Sequence, residues 1–522
     1  MTDTALTGLN RWLSDFLTPV NAAHWPGEVP YIVETPLGKL RGSQHGQVSI
    51  FRGIPYAQPP VGVRRFAPPK KIDAWQGTRD ATEFGPMSHQ PGEGNFSEDC
   101  LYLNIWTPDA QLSAALPVYV FIHGGGYMLG SGSQPLYEGK NLAQQGVVVV
   151  TLNYRLGTLG FLPSAAAFKE YGTTGNWGLL DIIAALEWVQ ENIGTFGGDP
   201  SRVTVGGESA GSYAVSTLIA SPLAEGLFNQ AIMQSGSLPN ATAVAPENVL
   251  SFEQAKEAAS RFFAKLGLKD DASGLDTLRK MPVEKLQAIQ AETSLQPPQV
   301  PGFWPIPDGH VYHPDPVTTL AKGEINRVRL LAGFNTDEGT LFIPQDASEQ
   351  HYNALVNSAF GSKADEILRR FPANNEHNVI ERMNHLITLG LLRSGLYLYA
   401  DALAPYKEVY MYHFDYMDPD IISSGLGVIH GSELKFIFDN LNNSDAWNDE
   451  AKQVAKQMQA AWVNFIKYGD PNGIQSQPGS ARWKKYDPAL PRELHITQKS
   501  QMQPVVHWDD VKFINQRLQR QH

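Results

Sequence analysis

Two uninterrupted apolar segments constrain the fold of this chain more than any other feature. Residues 117–122 read Pro-Val-Tyr-Val-Phe-Ile, and residues 147–152 read Val-Val-Val-Val-Thr-Leu. Such runs lack the alternation of a strand with one solvated face, so they predict strands that are covered on both faces. Helix-spaced apolar residues follow between 179 and 193, and a short strand at 203–205 precedes another helix at 212–219. This order predicts parallel βαβ units in an α/β fold.

The remaining segments extend this fold class at both ends. Short strands are predicted between residues 31 and 52, with further strands at 328–333 and 409–414 and helices over 249–268 and 451–467. We therefore predict a central, mostly parallel twisted sheet with helices on both faces, a small N-terminal β region and helical insertions. Residues 1–28 are predicted to form an N-terminal extension, helical in part. Residues 29–515 are predicted to form a single domain with a helical excursion at about 240–325.

Composition and charge exclude several classes of protein. The 522 residues include 41 Lys and Arg against 53 Asp and Glu, which gives a net charge of −12. This acidic balance disfavours nucleic acid and anionic membranes as partners, because both bind basic surfaces. A single cysteine forms neither an internal disulfide nor a cysteine-based metal site. Because the N-terminal segment lacks signal-peptide features and no apolar run is long enough to span a membrane, we expect a cytoplasmic location without stable membrane association.

The sharpest local motif is Gly-Glu-Ser-Ala-Gly at residues 207–211, directly after the strand predicted at 203–205. A serine on a tight turn between a strand and a helix needs small residues two positions before and after it, because neighbouring backbone comes close. The helix that begins there also directs N–H groups toward developing negative charge. This context predicts a nucleophile elbow with Ser209 as the nucleophile, rather than a chance turn.

A second motif, His-Gly-Gly-Gly-Tyr at residues 123–127, follows the apolar strand at 117–122. Three glycines leave backbone N–H groups accessible to a bound carbonyl oxygen, which predicts an oxyanion hole with donors from Gly125, Gly126 and Ala210. A phosphate-binding loop is the alternative for a glycine run, but no Gly-Lys-Ser/Thr follows here. We interpret His123 as structural rather than catalytic.

A nucleophilic serine needs a base and an orienting acid, and in α/β enzymes of this kind the acid precedes the histidine along the chain. The acid is predicted within residues 337–339, after the strand at 328–333, and the base is predicted at His430. The residues alone do not choose between Asp337 and Glu338, and they leave His413 open as another base. His413 alternates within an apolar strand, which also suits a packed core residue.

Many short motifs, all in one order along the chain, carry a family resemblance. The chain resembles the type-B carboxylesterases of the α/β-hydrolase fold, a family that includes bacterial para-nitrobenzyl esterases, mammalian carboxylesterases and cholinesterases. The resemblance covers about residues 30–510. Its blocks are residues 51–57, 97–108, 123–126, 153–155, 175–176, 196–200, 207–211, 234–236, 337–339, 430–431, 462–465 and 469–472.

The resemblance implies the reaction and the residues that perform it. It implies a serine carboxylesterase that hydrolyses small-molecule carboxylic esters to a carboxylate and an alcohol through an acyl-enzyme intermediate, with no metal or cofactor. Ser209 is implied as nucleophile, His430 as base and Glu338, rather than Asp337, as acid. The three oxyanion donors named above match as well. The sequence indicates no oligomeric state.

Further residues around the site receive expectations from the same resemblance. Glu208 places a carboxylate beside the nucleophile, where it would favour a protonated imidazole or serve a structural role. Ser235 is expected to support the base from behind. Tyr127, Phe303 and Trp304 are candidates for an apolar pocket wall, although the last two equally suit a core.

Two structural ion pairs are also implied, Arg52 with Glu98 and Arg155 with Asp181. The chain departs from its secreted relatives at one point. They pair the cysteine that corresponds to Cys100 with another cysteine, and this chain has Ser88 at that second position. We therefore expect Cys100 to be a free, buried thiol. The short segment between these two positions lacks tryptophan, so recognition of choline by a cation–π contact is not expected.

Other functions remain to be separated by experiment. A binding module of this fold that has lost catalysis is disfavoured, because the serine, the acid, the histidine and the oxyanion glycines all occur together. An amidase or carbamate hydrolase would use the same residues. A lipase would need a long acyl-binding gorge, which the sequence does not reveal.

Overall fold

In the part of the chain that the structure describes, thirteen strands form one mixed sheet. The computed structural model describes residues 27–238, 252–293, 304–313, 316–344, 346–373, 376–419, 422, 425–440, 447–474 and 482–520. The strands are β1 (Val29–Thr35), β2 (Gly38–His45), β3 (Val48–Pro55), β4 (Thr78–Asp80), β5 (Tyr102–Thr107), β6 (Leu116–Ile122), β7 (Val148–Leu152), β8 (Gly198–Glu208), β9 (Gln230–Gln234), β10 (Arg329–Asn335), β11 (Val409–Phe414), β12 (Arg492–Ile496) and β13 (Gln501–Pro504). They follow the order β1-β2-β3-β5-β7-β6-β8-β9-β10-β11-β12-β13, and β4 pairs with β2.

The centre of the sheet is parallel and its two ends are antiparallel. Every neighbouring pair from β7 through β6, β8, β9, β10 and β11 to β12 is parallel. The strands β1, β2, β3, β5 and β7 pair antiparallel in that order, as do β12 and β13, whereas the short β4 pairs parallel with β2. The two apolar segments that predicted buried strands are β6 and β7, which lie side by side with Val118 opposite Val148. The predicted mostly parallel sheet with a small N-terminal β region is confirmed.

Helices connect the strands and cover both faces of the sheet. The α-helices are α1 (Lys140–Ala143), α2 (Gly157–Phe161), α3 (Ala165–Tyr171), α4 (Trp177–Asn192), α5 (Ala210–Ala220), α6 (Phe252–Lys265), α7 (Ala272–Lys280), α8 (Val283–Thr293), α9 (Pro316–Lys322), α10 (Glu349–Phe360), α11 (Ala364–Arg370), α12 (Glu376–Ile387), α13 (Ser394–Leu403), α14 (Leu434–Phe438), α15 (Asp449–Tyr468) and α16 (Trp508–Arg520). A π-helical turn, Thr388–Arg393, joins α12 to α13.

The side chains of β6 show how one strand contributes to two cores. Val118, Val120 and Ile122 belong to a buried cluster that includes the apolar residues of α4 and α5. Tyr119 and Phe121, which point to the opposite face, belong to a second cluster with the apolar face of α15. Alternate side chains of a strand point to opposite faces, so a strand that is apolar throughout must be covered on both.

One long helical stretch is strongly apolar. Asn378–Leu403 has the length and mean hydropathy of a membrane-crossing helix, but 83% of its apolar window is buried inside the protein. It packs as a core element of the fold. The helical excursion predicted at about 240–325 contains α6, α7, α8 and α9 within its described part. Apart from Gly27 and Glu28, the predicted N-terminal extension lies outside the described residues.

Candidate active site

A strained serine marks the junction of β8 and α5. Ser209 has φ 55° and ψ −125°, a combination that costs a non-glycine residue roughly 1–3 kcal/mol. Its N–H donates to the carbonyl oxygen of Gln234 at 2.9 Å, which ties the turn to the end of β9. Helix α5 begins at the next residue. This is the predicted strand–turn–helix elbow, and it places the serine at the carboxyl ends of the parallel strands.

The two glycines of the elbow are required by close backbone packing. A Cβ atom on Gly207 would lie 2.4 Å from the carbonyl carbon of Gly211. A Cβ atom on Gly211 would lie 2.0 Å from the carbonyl oxygen of Ile122, at the end of β6. Both distances are far shorter than a carbon atom tolerates. The sequence expectation that small residues must flank the serine at these positions is therefore met.

The glycine loop after β6 lies against the elbow. Ile122 pairs with Gly207, so the loop leaves the sheet beside the serine. A Cβ atom on Gly124 would lie 3.0 Å from the Cβ atom of Ser209. Gly125 and Gly126 have positive φ angles of 102° and 62°. Among the described residues, neither of these two N–H groups donates to a backbone acceptor, so both remain available to a ligand.

His123 supports the glycine loop and carries no charge there. Its ring stacks on Tyr154 with centroids 4.5 Å apart, and its Nδ1 lies 2.8 Å from the carbonyl oxygen of Gly124. Burial lowers the pKa of His123 to about 4. A neutral, stacked imidazole that contacts the loop backbone agrees with its interpretation as a structural residue.

The acid and the histidine meet at the ends of β10 and of the loop before α14. Glu338 follows β10 and is completely buried. Its Oε2 lies 2.5 Å from His430 Nδ1. Its other oxygen, Oε1, accepts a hydrogen bond from the Asn335 N–H at 2.6 Å and another from the Ser235 hydroxyl. Three donors therefore fix this carboxylate. Ser235 contacts the acid directly and reaches His430 only through it.

Asp337 has a different set of partners. Its Oδ2 accepts from the Val428 N–H and its Oδ1 accepts from the Asn384 side-chain amide, both at 2.9 Å. The Asp337 N–H also donates to the Val428 carbonyl oxygen at 2.9 Å. Asp337 thus joins its own loop to the loop that carries His430. The residues alone did not choose between Asp337 and Glu338. In the structure the carboxylate that contacts His430 belongs to Glu338.

The second nitrogen of His430 lies beside another buried carboxylate. His430 Nε2 is 3.2 Å from Glu208 Oε1, and within the described residues it makes no hydrogen bond. Burial alone would lower the pKa of His430, but the Glu208 and Glu338 carboxylates outweigh it and raise the pKa to about 9. Burial raises the pKa of Glu208 to about 8, although His430 counteracts it. The pair therefore shares its protons as one coupled unit.

His413, the other histidine considered as a base, lies elsewhere. Its ring stacks on Phe334 at 4.6 Å, and its Nε2 lies 2.8 Å from the hydroxyl of Thr336. Among the described residues, His413 contacts neither Ser209 nor Glu338.

An aromatic group lies on the side of the elbow where the glycine loop ends. The rings of Tyr127 and Trp304 are 5.5 Å apart, and Trp304 is 5.4 Å from Tyr213 of α5. Phe342 lies 5.5 Å from the His430 ring. Sequence reasoning missed Tyr213 and Phe342. Tyr213 lies four residues after Ser209, and Phe342 lies four residues after Glu338, which is about one helical turn in each case. Phe303 lies outside the described residues.

One of the two expected ion pairs is wrong. Glu98 pairs with Arg65, whose Nε donates to it at 2.6 Å, and not with Arg52. Arg52 instead lies 3.3 Å from Glu28 and over the ring of Phe84. A sequence motif gives the order of charged residues but not the direction of their side chains. It therefore does not show whether Arg52 or Arg65 pairs with Glu98.

The second expected ion pair is present. Arg155 and Asp181 form a buried pair with two contacts of 2.7 Å. Cys100 is free and buried, as expected, and burial raises the pKa of its thiol to about 12.

A serine on an elbow, a histidine held by a buried glutamate and open backbone donors beside them define a serine hydrolase of the α/β-hydrolase class. Residues 30–514 match the model of the carboxylesterase family. The chain belongs to this family and is a carboxylic ester hydrolase.

Named relatives and solved structures agree with this membership. The chain is 37% identical to the para-nitrobenzyl esterase of Bacillus subtilis over 84% of its length and 90% of the relative. It is also 37% identical to the fumonisin B1 esterase of Sphingopyxis macrogoltabida, over 90% and 87%. A PNB esterase structure superposes with a TM-score of 0.81 at 35% identity and covers 92% of this chain and 99% of that one. The carboxylesterase Est55 of Geobacillus stearothermophilus gives 0.80 at 36%, covering 92% and 98%.

Proposed function

We propose that Ser209, His430 and Glu338 hydrolyse small-molecule carboxylic esters through an acyl-enzyme intermediate. The contact that carries this proposal is the 2.5 Å approach of Glu338 Oε2 to His430 Nδ1. A carboxylate at this position holds the imidazole in the tautomer whose Nε2 accepts a proton, and it stabilises the imidazolium that follows.

The first half of the reaction transfers the acyl group to the enzyme. His430 Nε2 takes the proton of the Ser209 hydroxyl as the serine oxygen attacks the ester carbonyl carbon. The tetrahedral intermediate collapses when its bond to the alcohol oxygen breaks and His430 returns the proton to that oxygen. The alcohol then leaves, and the acyl group remains on Ser209.

Water completes the cycle by the reverse route. His430 removes a proton from the water, the resulting oxygen attacks the acyl-enzyme, and Ser209 leaves with the proton from His430. During both halves the N–H groups of Gly125, Gly126 and Ala210 bind the oxyanion. Loss of one such donor costs about 10²–10³-fold in rate.

Aromatic side chains support apolar or aromatic esters as the substrate class. Phe342, which is 37% exposed, lies beside His430. Tyr127 and Tyr213 each contact Trp304, and all three are buried in the core. An exposed aromatic ring next to the base favours apolar groups in the substrate and leaves orientation to the few polar groups of the site. The buried Glu338 carboxylate disfavours an anionic group next to the reacting carbonyl.

Hydrolysis of para-nitrophenyl acetate, butyrate and longer esters tests the proposal. The variant Ser209→Ala is expected to lose about 10⁵–10⁶-fold in kcat. Ser201→Ala, at an exposed serine on β8, is the matched control and is expected to retain wild-type kcat. Full activity in Ser209→Ala would refute the mechanism. The chain-length profile of the wild type separates a short-chain esterase from a lipase.

A further inference from the structure

A second cluster of ionisable side chains lies at the carboxyl ends of β11 and β12. His413 and His495 are register partners in this parallel pair, and their rings are 4.8 Å apart. Asp415 follows two residues after His413 and therefore projects from the same face. One ligand atom from each of the three side chains lies within 4.8 Å of the other two.

We propose that His413, Asp415 and His495 bind a divalent transition-metal ion such as Zn²⁺. Two imidazoles and one carboxylate are a preferred ligand set for Zn²⁺, with a water molecule in the remaining position. A tetrahedral ion with bonds of about 2.0–2.1 Å holds its ligand atoms about 3.3 Å apart. Asp415 Oδ2 already lies 3.0 Å from His495 Nε2. The three ligand atoms lie within 4.8 Å of one another, so coordination requires the His413 side chain to move closer to the other two.

Neighbouring polar groups contact two of these three side chains. Thr336 Oγ1 lies 2.8 Å from His413 Nε2 and donates to Asp415 Oδ1 at 2.5 Å. The other nitrogen of His413, Nδ1, is buried without a hydrogen bond in the described structure and faces Glu493 Oε1 at 3.6 Å. Because Nδ1 faces Glu493, Nε2 is the nitrogen that would ligate the ion, and it would exchange its contact with Thr336 for the metal. A carboxylate behind a ligating histidine raises its basicity as a ligand.

Exposure and charge permit an ion to enter and stay. The side chain of Asp415 is 35% exposed and that of His495 is 19% exposed, whereas His413 is 7% exposed. The cluster is therefore open on one side and anchored on the other. Arg393 lies nearby, over the Phe334 ring at 4.2 Å, and Glu493 is the acidic group of β12 that faces His413.

The cluster lies close to the loop that carries Glu338, so a bound ion would affect the stability of this region. Thr336 lies two residues before Glu338, and its N–H donates to the carbonyl oxygen of Phe414 at 3.1 Å. An ion held by β11 and β12 would therefore tie these strands together beneath the loop that carries the proposed acid. Because a ligand that binds only the folded state stabilises it, Zn²⁺ is expected to raise the melting temperature.

Calorimetric titration of the chelator-treated, untagged chain with Zn²⁺ tests the proposal. The wild type is expected to bind one ion per chain, and Co²⁺ in its place is expected to give the visible absorption of a tetrahedral site. His495→Ala and Asp415→Asn are each expected to weaken binding by at least about 100-fold, since changes to outer partners alone cost about 10–100-fold. His310→Ala, at an exposed histidine outside the cluster, is the matched control and should bind as the wild type does.

Two outcomes of the titration would refute the metal site. Absence of stoichiometric binding, or equal affinity in wild type, His495→Ala and Asp415→Asn, would overturn the proposal. Melting curves without metal show whether each variant is folded, and Asp415→Asn preserves shape if His495→Ala does not fold. Ester hydrolysis does not enter this test, so the metal site and the proposed mechanism can fail separately.

Discussion

Asp337 and Glu338 are adjacent carboxylates with opposite surroundings. Glu338 is completely buried, faces His430 and accepts two further hydrogen bonds that fix it in place. Asp337 faces away from His430 and joins two loops through Val428 and Asn384. One step along the backbone at the start of a 3₁₀-helix turns the side chain to a different side of the loop. The difference indicates a division of roles. Glu338 supplies the negative charge beside His430, and Asp337 holds the two loops in position.

Of the two neighbouring acids, Glu338 is expected to have the larger effect on the rate. The change Glu338→Gln keeps the size of the side chain but removes the charge that stabilises the His430 imidazolium. By comparison with the equivalent change in another serine hydrolase, kcat is expected to fall about 10⁴-fold. Steady-state kinetics with para-nitrophenyl butyrate, together with a melting curve to show that the variant is folded, measure this. A loss below tenfold would mean that Glu338 is not the acid.

A smaller effect is expected at Asp337. In Asp337→Asn one oxygen is replaced by an N–H₂ group that faces a donor, so one of the two side-chain hydrogen bonds is lost. We expect a decrease of about 1–3 kcal/mol in the free energy of unfolding. Displacement of the His430 loop should lower kcat by at most about 10²-fold. Urea unfolding and kinetics on the same preparation check both values, and a rate loss larger than that of Glu338→Gln would reverse the assignment of the acid.

The smallest effect on kcat is expected at Glu208. A change there should instead shift the pH dependence of kcat/KM. The base must be neutral to accept the serine proton, so kcat/KM rises as pH increases through the raised pKa of His430. Glu208→Gln removes one of the two carboxylates that raise this pKa. The rising limb of the pH profile should therefore move to lower pH. A limb that stays in place would show that Glu208 does not act on His430.

The parts of this site that follow from local sequence were predictable, and the parts that depend on side-chain direction were not. The elbow at Ser209 was readable because its glycines are fixed by contacts that any strand–turn–helix of this kind makes. The apolar segment of β6 predicted its own burial on both faces. Arg52 and Ser235 illustrate the limit. Both lie in recognisable motifs, yet their partners are set by tertiary packing, which their positions in the sequence do not encode.

The cluster of His413, Asp415 and His495 shows the same limit over a longer distance. His413 and His495 are 82 residues apart in the sequence and become neighbours only through the register of β11 with β12. Nothing in the sequence around His495 indicates this register, because β12 is a short edge-proximal strand of five residues. His413 therefore resembled a core residue when considered alone.

The single buried thiol has a practical consequence for work on this protein. Cys100 is the one cysteine among 522 residues, and burial keeps its pKa near 12, so it forms almost no thiolate at neutral pH. Maleimides and other thiol reagents should leave the native chain unmodified. A cysteine introduced at an exposed position such as Ser201 would then be the sole reactive thiol, which permits attachment of one fluorophore or spin label without removing the natural residue.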